Sequence, residues 1–466
     1  MDLISLPFAG FFLITLFIYH TIPGSWRKIW LLASSIFFYG LLDIRYLLVL
    51  AVLTVSNYWF VKKSSASQKD NNVYFGLALF LNLAVFICLK VLTSRYAGFI
   101  YPAVNDITDK WLLPVGFSFY VLQLISLHLN IRNGQLSKVP GFTDFALYLV
   151  YFPKITSGPI EKPRQFFEKL SKVPTVEEFD FTRGLGLILI GLVRKLLIVK
   201  ILYFFIPNWL VDADKVGWVQ VITFTLLLYN DFTGYTSIVR GLSCMFGLEL
   251  SENFQQPFFA RNFSEFWNRW HITLSTWLRE TIYFPLSRKL GKNQNMLVFA
   301  IILPPLATML ASGFWHGASL AMIVWGTIHG VYLIAERLLY EKFPRMRPQN
   351  LSKFWQGVSM VVVFILFTFT MVPFAVTTFK PTLMVWKNML IQPSIGMQAA
   401  TPLLFAVVVF SFILDFLAQR KKAELWWQDM PLLPRSAVIA FGIILLAVAI
   451  GLNIQTAGSV FIYQGF

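Results

Sequence analysis

Residues 296–318 read MLVFAIILPPLATMLASGFWHGA. From Met296 to Trp315 there is no charged residue, and at about 1.5 Å per residue such a run crosses a hydrocarbon core of roughly 30 Å as a helix. It ends on His316 and Gly317. Stretches of the same kind recur on both sides, at 3–21, 30–42, 47–61, 74–91, 112–131, 145–160, 185–206, 219–246, 318–338, 358–376, 402–417 and 438–452. Some are too short or too broken to be simple spans. The expectation is an all-α polytopic membrane protein with roughly 11–13 transmembrane or re-entrant helices.

Composition agrees. The 466 residues are 57% hydrophobic and 13% charged, with mean hydropathy +0.64, against roughly 45–50% and about 25% in a soluble domain. Aromatics make up 17%, including 47 Phe and 15 Trp, which suits lipid-facing surfaces and interfacial belts. The formal charge of +16 is dispersed among apolar runs rather than gathered on a reading module, so no nucleic-acid partner is expected. Basic clusters at Arg27/Lys28, Lys62/Lys63, Arg194/Lys195, Arg288/Lys289/Lys292, Arg337/Lys342/Arg345/Arg347 and Arg420/Lys421/Lys422 are read as cytoplasmic helix ends. Cys88 and Cys244 lie in apolar runs and form neither a disulfide framework nor a metal cluster. The first apolar run lacks a basic n-region and a small-residue cleavage site, so it is expected to be a retained helix. No sizeable polar stretch divides the chain, which predicts one membrane-embedded domain over residues 1–466. No inverted repeat is evident, which weighs against a transporter.

Two stretches break the pattern. Within 145–160, Pro153, Lys154 and Ser157-Gly158-Pro159 require the backbone to open at membrane depth, where it must be surrounded by protein or a wet cavity. Residues 252–292 thread Asn253, Arg261, Asn262, Glu265, Asn268, Arg269, His271, Arg279 and Glu280 among aromatics. Phe259, Phe263, Phe266/Trp267, Trp270, Leu274 and Trp277/Leu278 nevertheless recur at helical spacing. This amphipathic segment is expected along the interface or folded back into the protein; a plain membrane-surface anchor is the bland alternative.

Five histidines offer proton-transfer chemistry near neutral pH. His20 ends the first run and reads as interfacial, and His128 lies near the end of another. His316 lies between two apolar runs with Gly313 and Gly317 nearby, which lets backbone or ligand approach closely. His329, thirteen positions further on, would be roughly 20 Å away along a helix, so it reads as a packing or orienting residue. No HExxH pattern, close His pair or Cys cluster points to a metal. Without a GxSxG elbow, Ser312 is a weak nucleophile candidate, and a single imidazole base is the simpler chemistry.

At this point the chain resembles the membrane-bound O-acyltransferase superfamily, in its bacterial branch similar to the alginate O-acetyltransferase membrane subunit. The resemblance rests on Leu113-Pro114-Val115-Gly116-Phe117-Ser118-Phe119-Tyr120, Tyr151-Phe152-Pro153 with Ser157-Gly158-Pro159-Ile160, and Tyr229-Asn230-Asp231-Phe232-Thr233-Gly234-Tyr235. It continues through Glu252-Asn253-Phe254, the run from Phe263 to Arg279, and Phe314-Trp315-His316-Gly317, in family order over a core at 112–330. The chain departs from such relatives at Thr236-Ser237 and at His128-Leu129-Asn130.

The resemblance implies a ring of helices around a central tunnel in the bacterial cytoplasmic (inner) membrane. It implies His316 as catalytic base with His271 as its partner, and Trp315, Trp270, Asn268, Arg269, Arg279, Asp231 and Tyr235 as donor-site or tunnel candidates. Lys289 is a further candidate for holding the donor's phosphates. No tightly bound cofactor is expected; acetyl-CoA or another acyl thioester, free or on a carrier protein, is the co-substrate. The expected acceptor is an envelope polysaccharide or an extracytoplasmic relay protein. D-alanyl transfer from a carrier thioester, and transport without chemistry, stay open as alternatives.

Overall fold

The computed structural model describes residues 3–42, 44–66, 71–92, 115–136, 138–172, 180–206, 213–376 and 378–451. Leu113-Pro114 and the start of the expected 112–131 run lie outside them. No strand occurs among the described residues. Seven helices there are long and apolar enough to cross a membrane, and the chain is an all-α multi-pass membrane protein. Its residues group into two compact units, one up to Ile188 with Thr236–Ser251, the other Leu189–Tyr235 with the described residues from Glu252 onward.

The first unit contains α1 (Leu6–Thr21), α2 (Gly24–Leu42), α3 (Ile44–Ala66), α4 (Asn71–Leu92), α5 (Phe117–Arg132), α6 (Phe142–Val150), α7 (Pro163–Ser171) and most of α8 (Phe181–Leu192). Polar residues pin its apolar helices together. Asn57 and Asn82 exchange amide hydrogen bonds of 3.1 and 2.7 Å between α3 and α4, and His128 of α5 donates to Asn57 Oδ1 at 2.8 Å. All three are buried, so each bond removes the cost of a bare polar group in an apolar setting. His128 is therefore a structural residue, and so is His20, which donates to the Met245 carbonyl at 3.0 Å.

The expected opening within 145–160 is present: α6 stops at Val150 and turns follow. The freed backbone finds partners, with Phe152 N donating to Ser35 Oγ at 3.0 Å and Gly158 N to the Lys154 carbonyl at 2.9 Å. Lys154 is fully buried, donating to Gln123 and to the Tyr148 carbonyl. Gly116 (φ +76°) sits so close to Ile155 that a Cβ would overlap its carbonyl oxygen.

The second unit begins with a π-helical turn at Val193–Val199 and α9 (Lys200–Phe204). There follow α10 (Trp218–Cys244), whose residues from Thr236 belong to the first unit, α11 (Phe263–Arg269), α12 (Ile272–Leu278), a second π turn at Arg279–Tyr283 and α13 (Phe284–Gly291). The long pair α14 (Leu297–His316) and α15 (Leu320–Lys342) comes next, then α16 (Lys353–Thr370), α17 (Val372–Val376), α18 (Phe379–Ile391), α19 (Pro402–Lys421) and α20 (Leu432–Gly451).

Two expectations need correction. Arg194/Lys195 do not mark a helix end. Both are buried in the π turn, where Arg194 pairs with Asp415 and donates to Asn230 Oδ1 at 2.7 Å, and Lys195 pairs with Asp231. Charges at such depth persist because each has an opposite partner, and wider turns such as this π segment break the expected 185–206 run. The second correction is α18, which the apolar-window reading passed over. It is too short and too polar for a span, and it buries only Thr382, Val385, Asn388 and Met389.

The α14/α15 pair places the site. A Cβ on Gly313 would overlap the Met322 carbonyl oxygen, and one on Gly326 that of Met309. Backbone meets backbone across this pair, as small residues allow between membrane helices. Replacing Gly326 with Ala is expected to cost about 1–3 kcal/mol through overpacking. Thermal unfolding of purified protein in detergent checks this, with Gly357→Ala, where a Cβ meets open space, as the neutral control.

Candidate active site

The amphipathic segment folds back into the protein. Asn262 caps α11 by accepting from Glu265 N at 2.7 Å, and Glu336 of α15 accepts from Phe263 N at 2.7 Å and Ser264 N at 3.3 Å. The apolar stripe then buries against α16, with ring centroids 4.3 Å apart for Phe266 and Phe367 and 5.0 Å for Trp270 and Phe367. Between α11 and α12 the chain turns on His271 at φ +42°, a left-handed conformation uncommon outside glycine.

Asn253 holds that turn. Its carbonyl accepts from Ile272 N at 2.9 Å, and its Oδ1 accepts from Thr273 N at 3.2 Å and Thr273 Oγ1 at 2.7 Å. The Glu252-Asn253-Phe254 motif was legible as a family marker, but nothing local to it shows that Asn253 braces a histidine eighteen positions away.

His271 and His316 converge on one aromatic residue. The His271 ring lies 5.9 Å from Trp315, which lies 4.8 Å from the His316 ring. Phe232 of α10 packs edge-on against His271 at 4.8 Å. Burial pushes the His271 pKa down to about 3, so this imidazole is neutral at physiological pH. His316 is the last residue of α14, with Gly317 N donating back to the Gly313 carbonyl at 3.0 Å. His329 is not the roughly 20 Å away that an unbroken helix would give: α14 ends at His316, α15 runs back beside it, and both histidines pack on Trp325, with ring centroids at 5.4 Å for His316 and 4.7 Å for His329. Thr370 Oγ1 donates to the Phe367 carbonyl, which leaves it to accept from His329 Nε2 at 2.9 Å.

A cavity of about 530 Å³ lies in the same unit, lined by residues of α11, α12, α14 and α15 but not by His271, His316 or Trp315 themselves. It is lined by Ser312 and Ser275, each four residues, or about 6 Å of helix, from His316 and His271 respectively. It is also lined by Arg279, Glu336, Arg337, Tyr340, Glu341 and Arg347. Ser312 Oγ and Trp267 Nε1 line it, both buried and without a hydrogen-bond partner among the described residues. Buried groups of that kind call for a ligand or ordered water.

The other candidates divide. Arg279 and Asn268 line the cavity and are hydrogen-bonded to each other. Arg269 does not line it; its guanidinium is engaged by Glu265 and Gln419, each at 2.7 Å. Lys289 does not line it either. Trp270 stacks on Phe266 at 5.6 Å as core. Asp231 is held by Lys195, and Tyr235 is buried in α10. Arg337, Arg347, Tyr340 and Trp267 carry no local signal of a site: Arg337 and Tyr340 lie on α15, Arg347 just beyond it and Trp267 on α11, and only packing brings them to one cavity.

The family model of membrane-bound O-acyltransferases matches residues 31–379. The chain belongs to this family. Among its relatives, a protein named "Probable alginate O-acetylase AlgI" from Azotobacter vinelandii is 32% identical, over 69% of this chain and 66% of its own length. The peptidoglycan O-acetyltransferase of Helicobacter pylori is 28% identical over 71% of this chain and 67% of its own. A teichoic acid D-alanyltransferase from Streptococcus thermophilus is 28% identical over 63% and 70%. The chain thus spans just under two thirds of the first of these O-acyltransferase relatives.

Deleting both Asn253 side-chain bonds with Asn253→Ala is expected to cost about 2 kcal/mol, and deleting one with Thr273→Val about 1 kcal/mol. Paired melting curves in detergent report the order.

Proposed function

We propose that this protein is an O-acyltransferase of the bacterial cytoplasmic membrane that transfers a small acyl group, acetyl, from a thioester to a hydroxyl on an envelope polysaccharide or on a relay protein. The observation that supports this reading is a cavity lined by Arg279, Arg337 and Arg347 together with Ser275 and Ser312, which stand four residues from His271 and His316 in the chain. Arg279, Arg337 and Arg347 suit the phosphates of coenzyme A or of a carrier-borne phosphopantetheine. Trp267 Nε1–H and the Ser312 hydroxyl suit the amide and thioester oxygens of its arm.

The chemistry asks for an imidazole base beside the acceptor hydroxyl, and His316 is enclosed by aromatic rings. His316 takes the proton from the acceptor hydroxyl as its oxygen bonds to the thioester carbon. The carbon–sulfur bond then breaks, and the departing thiolate takes up that proton. His271, neutral and buried, orients the acceptor or donates to the developing oxyanion, an arrangement often worth more than the base itself. Acetyl is favoured by the names of the alginate and peptidoglycan relatives. The D-alanyl reading draws on the teichoic acid relatives and differs in its donor, a carrier thioester.

The test uses membranes carrying the protein, labelled acetyl-CoA and measurement of label in envelope material. His316→Ala is expected to lower transfer at least about 10²-fold at unchanged protein level; undiminished transfer would remove His316 from the chemistry. Arg337→Ala with Arg347→Ala is expected to raise KM for the donor several-fold and leave kcat nearly unchanged, as loss of uniform binding requires. Transfer from an acyl-carrier thioester but not from acetyl-CoA would select the carrier reading. Movement of substrate without any acyl product would replace both with transport.

A further inference from the structure

The rings around His316 bear on which acyl group can be carried. Trp315 packs at 4.8 Å, Phe374 at 5.0 Å and Trp325 at 5.4 Å, all edge-on to the imidazole. Phe374 and Trp325 also meet each other at 5.0 Å. All four side chains are buried, with Trp325 and Phe374 only 2% and 3% exposed. The three aromatic residues reach His316 from its own helix, from α15 and from α17, so the enclosure is a product of tertiary packing. Phe374 itself is held on the short helix α17 beyond Thr370, with its backbone N donating to the Met371 carbonyl at 3.1 Å.

These rings crowd His316, so an alkyl tail on a thioester carbon brought against this side of the imidazole would meet them. A methyl group asks for little space, whereas a longer chain would have to displace rings packed at interior density, which cores resist. Resting on the acyl-transfer reading above, we propose that Phe374 sets the upper limit on acyl length, so that the site takes acetyl and excludes butyryl. Phe374 is then a specificity-determining residue. Removing its ring opens an apolar space beside His316, and such spaces accept apolar guests.

The experiment is a pairwise competition of acetyl against butyryl, and of acetyl against propionyl, thioesters carrying different labels, supplied as the CoA esters and, in a second arm, on a phosphopantetheinyl carrier protein. The readout is the ratio of the two products, which is independent of how much folded enzyme each membrane holds. Wild type is expected to favour acetyl by at least about 10²-fold, two methylenes being worth that much in a closed pocket. Phe374→Ala should raise the butyryl-to-acetyl ratio at least about 10-fold. Phe374→Leu, which keeps more of the packing, should raise the propionyl ratio first. Phe369→Ala, whose ring stacks instead on Trp386 at 5.1 Å, should leave both ratios unchanged. A wild-type ratio near one, or ratios unmoved in both Phe374 variants, overturns the assignment while leaving acyl transfer intact. No acyl product from either donor in wild type removes the underlying reading and this inference with it.

Discussion

The backbone contact between α14 and α15 governs the second unit. Gly313 and Gly326 let the two helices approach so closely that a single added methyl on either would meet a carbonyl oxygen. Three features of the site follow from that approach. His316 ends α14, Trp325 and His329 lie on the facing side of α15, and Glu336 near the far end of α15 reaches the first backbone N–H groups of α11. At these two positions no side chain stands between the helices, so backbone contact limits how they can slide.

Elsewhere the protein handles polarity at membrane depth by pairing it. Arg194 with Asp415, Lys195 with Asp231, and Asn57 with Asn82 and His128 each supply a buried polar group with a partner from another helix. Replacing one member alone would leave the other stranded, which is the costly case. The same logic governs the open turns after Val150, whose backbone groups are satisfied by Ser35 and by neighbouring carbonyls. Basic residues in such a chain therefore have two uses, topology and internal pairing, and hydropathy alone does not separate them.

Rings from four elements surround the two histidines, and burial keeps His271 in its neutral form. In such a setting a hydrogen bond to a developing charge is worth far more than in water. The cavity in the same unit is lined by arginines and by the unpartnered Ser312 and Trp267 groups.

The sequence by itself determined the apolar spans, the break within 145–160 and the amphipathic character of 252–292, and it marked His316 as a candidate by its neighbouring glycines. These are local properties: run length, helical period and the flanking of a residue by glycines. Only the tertiary structure decided that His271 meets His316 through Trp315, and that Arg279 lines the cavity while Arg269 is engaged by Glu265 and Gln419. It alone also decided that Asn253 braces the His271 turn, and that Arg194 and Lys195 are internal ion-pair partners rather than helix-end markers. The physical reason is that each of these depends on groups from distant parts of the chain meeting, and a linear pattern records which face of a helix is apolar but not which neighbour that face will find.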